Sequence, residues 1–80
     1  MLSINSVKRK LRSYGMREAY NQRGVNILYC GYIAIRVIND YTVETWTVGE
    51  TLSGTIVTYD TIDQRNEAIF DMGLTGLQVI

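Results

Sequence analysis

The chain has 80 residues, enough for one domain (1–80) with a single core, and its 46% hydrophobic and 20% charged residues suit a globular chain, not a disordered one. It has no histidine, no proline and one cysteine, Cys30. That excludes an intramolecular disulfide, a C-x-x-C metal or redox pair, every Ser–His or Cys–His catalytic arrangement and a polyproline ligand.

A formal net charge of zero hides a split. Residues 1–36 carry seven bases against Glu18 alone, and residues 37–80 carry seven acids against Arg65 alone. Such a dipolar chain points to a basic surface with a partner, or to head-to-tail self-association, more than to a substrate.

In chain order, Ile4, Val7, Leu11 and Tyr14 recur at spacings of three and four and predict a first helix, capped by Ser3 and stopped by Gly15. Lys8, Arg9, Lys10 and Arg12 fall on its other faces, where they suit the negative end of the helix dipole. Met1 to Arg17 is basic and free of acids, as mitochondrial presequences are, but an ordinary amphipathic helix of the domain is the preferred reading. Residues 16–24 have no readable period. From Val25 the period becomes two: a strand over 25–29, a bulge or break at Gly31, and a strand over 32–38 with Ile33, Ile35 and Val37 on one face. Asn39-Asp40 is a hairpin turn pair, followed by a β-branched strand over 42–48.

The register of that hairpin has two solutions. A three-residue loop pairs Arg36 with Glu44, whereas a two-residue loop sets Trp46 opposite Ile33. An odd loop sends Trp46 to an open face with Tyr32 and Arg36, and an even one sends it to the core. The core is expected, because an isolated exposed tryptophan invites aggregation.

After a connection over 49–54 comes a strand over 55–59. Thr61-Ile-Asp-Gln64 then reads as a capping box that opens a second helix. Its apolar stripe is Ile62, Ala68, Ile69 and Met72, with Gly73 as its stop and a short last strand over 77–80. The fold class expected is α+β: a small antiparallel sheet of three to four strands with two helices on one face, in the order α-β-β-β-α.

No motif marks a catalytic or cofactor site. Gly73-Leu-Thr-Gly76 lacks the Lys and Ser/Thr of a P-loop. Asp60 and Asp63 are explained by helix capping, and Cys30 by burial as a small hydrophobe. The expectation is therefore no enzyme, no metal and no cofactor. Three candidate partner-binding groups remain: a basic face of Lys8, Arg9, Lys10, Arg12 and Arg17; a sheet face of Tyr32, Arg36, Tyr41 and Trp46; and an acidic face of Asp63, Glu67 and Asp71.

Tyr, Trp and Arg are the residue types enriched at binding hot spots. The favoured function is a small protein-binding module whose partner is another protein. The alternative is nucleic-acid binding through the basic N-terminal helix. Self-association as a homodimer is a further partner class. In type the chain is similar to the short accessory proteins of phages and mobile elements, which implies an inhibitor or adaptor of a larger host machine. Its expected location is the cytoplasm, that of the host cell if phage-encoded. No apolar run approaches the roughly 20 residues that cross a bilayer, so no membrane role is expected.

Overall fold

A computed structural model describes residues 2–49 and 54–79. The elements are α1 (Ile4–Ser13), β1 (Arg17–Tyr20), β2 (Asn26–Cys30), β3 (Ile33–Val37), β4 (Thr42–Thr47), β5 (Thr55–Thr58) and α2 (Ile62–Gly76). The strands form one antiparallel sheet in the order β1-β2-β3-β4-β5, a meander in which each strand pairs with its neighbours in sequence. The α+β class holds, with five strands in place of three to four.

Both helix starts follow the capping residues. Ser3 Oγ accepts the Ser6 N–H at 3.1 Å, and Thr61 Oγ1 accepts the Gln64 N–H at 3.1 Å. Gln64 reaches back one residue beyond the cap, its Oε1 accepting the Asp60 N–H at 3.1 Å. Gly15 ends α1 in the left-handed region, at φ +110°. Tyr14, expected on the apolar stripe, lies at the C-cap and is exposed.

The core lies between the helices and one side of the sheet. Val7 and Leu11 of α1, Met16, and Ile69 of α2 meet Leu28, Cys30, Ile35 and Val43. Pairing fixes which strand residues share that side. Leu28 is opposite both Glu18 and Ile35, Ile35 is opposite Thr45, and Val37 is opposite Val43. Alternation then sends Arg17, Ala19, Ile27, Tyr29, Ala34, Arg36, Glu44, Trp46 and Ile56 to the other side.

Four expectations are corrected. The unreadable stretch after Gly15 contains β1, so Arg17 belongs to a strand and not to the helix's basic face. Its alternation was masked because Glu18, an acid, takes the helix-covered position. Gly73 does not stop α2: it lies inside the helix, where a Cβ would come within 2.7 Å of the Leu11 side chain. The helix runs on to Gly76 and closes with Gln78 at φ +59°, so residues 77–79 form a turn and not a strand, while Ile80 falls outside the described residues. Finally, Trp46 is half-buried on the uncovered side opposite Ala34, because the β3–β4 turn has three residues, 39–41. The Ile38 N–H donates to the Thr42 carbonyl at 3.0 Å and closes it. Of the expected 49–54 connection, residues 50–53 lie outside the described residues.

The C-terminal end of α2 is seated by glycine. Gly76 packs directly on the Cys30 carbonyl, and its own carbonyl accepts the Tyr32 N–H at 3.4 Å from the β2–β3 turn, where Gly31 has φ +60°. A methyl group at 76 meets backbone, which cannot step aside. Gly76→Ala is expected to lower stability by about 1–3 kcal/mol by urea denaturation despite alanine's better helix propensity. An unchanged or raised midpoint would contradict this packing.

Candidate interaction surface

The side of the sheet that no helix covers is a mixed apolar and aromatic surface with one ion pair at its centre. Along one row across the strands stand Arg17, Tyr29, Ala34 and Trp46; along the next stand Ala19, Ile27, Arg36, Glu44 and Ile56. Ala34, paired with Tyr29 on one side and Trp46 on the other, has no solvent exposure although neither described helix covers it. Tyr29 and Ile56 are 36% and 58% exposed. Arg36 Nε donates to Glu44 Oε1 at 2.9 Å, with Nη2 at 2.8 Å from the same oxygen. The pair is half-buried among apolar neighbours, where its charges are weakly screened.

Of the sheet-face residues expected from sequence, Arg36 and Trp46 come together here. Tyr32 and Tyr41 do not: each sits in a turn, Tyr32 in the β2–β3 turn and Tyr41 in the β3–β4 turn, both exposed. Ile27, Tyr29, Ile56 and Arg17 are the members that sequence reasoning missed. Their alternation was visible, but assigning them to one surface required the register.

The basic face of α1 is partly consumed by the fold. Lys8 Nζ lies 2.7 Å from Glu18 Oε2, and Arg12 Nη2 donates to Glu18 Oε1 at 2.9 Å. Lys8 is thereby largely buried, whereas half of the Arg12 side chain stays in solvent. Arg9 and Lys10 are exposed, and the Lys10 ammonium stands 5.7 Å from the centre of the Phe70 ring. Arg17 lies in β1, whose open-face position separates it from α1. The five cations expected as one patch are thus divided between two surfaces and an internal ion pair. On α2, Glu67 and Asp71 are exposed and Asp63 is half-buried in the first turn, and none of the three is in an ion pair among the described residues.

The Lys8 ammonium holds the Glu18 carboxyl below its ordinary pKa, against burial that pushes it up, and Arg12 adds to the lowering. Burial alone pushes the Cys30 thiol up to about 11, so at neutral pH it is protonated and a poor nucleophile.

A polar cluster joins the N-terminal ends of both helices to the β3–β4 turn. Arg65, only 4% exposed, donates from Nη1 to the Asn39 carbonyl at 2.7 Å and from Nη2 to Asn66 Oδ1 at 2.8 Å. Asn66 Nδ2 in turn donates to the Leu2 carbonyl at 2.9 Å. Burial pushes the Arg65 pKa down while the charge of Asp40 pulls it up. Beside the cluster is a hollow of about 370 Å³ lined mainly by Leu2, Ile4, Ile62, Asp40 and Asp63. The guanidinium is already engaged by protein carbonyl oxygens, so its role is to tie the turn to α2. Among the described residues no three acidic or cysteine side chains gather as metal ligands, and no helix is long and apolar enough to cross a membrane.

Comparison of the chain with protein-family models, with curated proteins and with solved structures finds no match.

The Glu18 site has a pH signature. A carboxylate whose folded pKa is depressed stabilises the fold fully above its unfolded pKa and loses that contribution as pH falls through the folded value. Glu18→Gln is expected to cost about 1–3 kcal/mol at neutral pH, and the gap to the wild type closes as pH falls below the ordinary carboxylate range. Urea titrations at several pH values check this; a gap that does not change with pH would refute it.

Proposed function

We propose that this chain is a non-enzymatic protein-binding module that engages its partner through the uncovered sheet face. The observation that carries the reading is the row Tyr29–Ala34–Trp46 lying beside the Arg36–Glu44 pair on a surface that neither described helix covers. Aromatic and arginine side chains gathered at the centre of a surface, with polar groups at its edges, have the composition of binding hot spots. Thr42 and Thr58, hydroxyl to hydroxyl at 3.2 Å, supply part of that polar edge. A module of this kind acts by occupying a surface of a larger protein, as an inhibitor or adaptor.

The alternative, nucleic-acid binding through α1, rests on Arg9, Lys10 and Arg12, which stay accessible. Three phosphate contacts give only a shallow salt dependence, a log–log slope near about −3. Exposed Glu67 and Asp71 lie on the adjacent helix.

Partner capture from the native cell, with mass spectrometry of what co-elutes, separates the two. Trp46→Ser is expected to abolish capture of a protein partner while the fold survives, because the indole is half-buried outside the helix-covered core. Lys10→Glu/Arg12→Glu is expected to leave that capture intact. The reverse pattern, with binding to duplex or single strands that weakens with salt, would contradict the proposed function in favour of the alternative.

A further inference from the structure

Taking the uncovered sheet face to be a binding surface, as proposed above, we infer that it takes a second copy of this chain, the two sheets packing face to face about a two-fold axis that runs between β3 and β4. The argument is self-complementarity, which an isologous contact requires: each residue must suit the residue that the axis sets over it. An axis parallel to the strands and midway between β3 and β4 lays each β3 over the other copy's β4, and each β2 over the other copy's β5. Residues of one row stay in that row.

The register then specifies the pairings of β3 with β4 and of Ile27 with Ile56, while Tyr29 falls past the end of β5 and β1 lies outside the overlap. Arg36 of each copy stands over Glu44 of the other, because the two are cross-strand partners on neighbouring strands. The two intramolecular pairs become a square of alternating charge in which each guanidinium meets two carboxylates. Ile27, one strand outward on β2, stands over Ile56, one strand outward on β5 and the most exposed isoleucine of the face. In the next row the axis sets Trp46 over the other copy's Ala34, which has no exposed surface of its own, so the indole packs on the groups that cover that alanine. Charge thus opposes its opposite and apolar opposes apolar.

No nucleic acid matches this surface as well. Glu44 neutralises Arg36, and Arg17 is the one cation of the face outside an ion pair among the described residues. A phosphate backbone would find a carboxylate at the centre.

Size sets the strength. Four overlapping strands spaced about 4.8 Å apart and about 17 Å long cover roughly 330 Å² in plan, well below the roughly 800 Å² that each partner of a stable complex buries. The dimer is therefore weak and concentration-dependent. Such a contact leaves the face available to a tighter-binding partner, so self-association would act as a reversible cover for it.

Charge reversal tests the axis. Sedimentation equilibrium of the full chain from about 5 to 500 µM is expected to show wild-type mass rising toward that of a dimer. Arg36→Glu and Glu44→Arg are each expected to remain monomeric, since each sets like charges across the axis. Mixed in equal amounts they are expected to associate at least about tenfold more tightly than either alone, and the double swap Arg36→Glu/Glu44→Arg to recover the dimer with its internal pair intact. Circular dichroism of each variant confirms that it is folded, and the double swap keeps the test valid should a single variant unfold. A wild-type chain that stays monomeric throughout, or single variants that dimerise as well as the wild type, would overturn the inference. If the chain is monomeric while Trp46→Ser still loses a foreign protein partner, the two-fold contact fails and the binding-face reading stands. If neither the dimer nor that partner loss is seen, both fall.

Discussion

The parity of one turn determines what this protein presents to its surroundings. Residues 39–41 join β3 to β4, and three residues instead of two set Arg36 opposite Glu44 and Trp46 opposite Ala34. A slip of one residue would exchange the two sides of every strand beyond the turn, sending Trp46 into the core and Val43 out of it. Beside its backbone bonds, two side-chain contacts hold the turn. Asn39 Oδ1 accepts the Tyr41 N–H at 2.8 Å, and the Asn39 carbonyl accepts Arg65 Nη1 at 2.7 Å. Breaking the second would leave Nη1 of a buried guanidinium without its acceptor, although Nη2 keeps Asn66. Arg65 thus ties the three-residue turn to α2.

From that turn the sheet acquires one side for the fold and one for the surroundings. On the helix side, apolar burial is joined by a single acid, Glu18, which draws Lys8 and Arg12 of α1 onto β1. The charge asymmetry read along the sequence is therefore partly structural, because the one acid of the first half binds two of its seven bases. On the other side, the same alternation assembles aromatic, aliphatic and paired charged residues into one continuous surface. Fixing the helices by their glycine contacts, Gly73 on Leu11 and Gly76 on the Cys30 carbonyl, keeps both of them on the first side.

Much of this was legible from residues alone wherever local chemistry decides. Ser3 and Thr61 announce the helix starts, Gly15 the end of α1, and the β-branched period of two the strands from 26 to 58. Illegible features were those decided at long range. β1 was hidden because its covered position holds Glu18, an acid acceptable there only because Lys8 and Arg12 meet it. Gly73 resembled a helix stop, yet it is a glycine required by the closeness of Leu11. The register of the β3–β4 hairpin was undecided because both loop lengths gave sensible partners; the group that ties the three-residue turn to α2 is Arg65, 26 residues away from Asn39. Of the candidate surface, Arg36 and Trp46 share a side only in the odd-loop alternative, against the core position expected for Trp46, and their apolar companions could be assigned only once the register was known.

Cross-strand proton contacts measured by nuclear Overhauser spectroscopy test that register most directly. In an antiparallel ladder the α-protons of residues in a non-hydrogen-bonded pair lie close together. The Ile38–Thr42 backbone bond makes Val37–Val43 and Ile35–Thr45 such pairs. Strong α-proton contacts between Val37 and Val43 and between Ile35 and Thr45 are the predicted result. Contacts one residue out of step, with Trp46 opposite Ile33, would contradict the account: Trp46 would belong to the core, and the surface on which the proposed function rests would not exist.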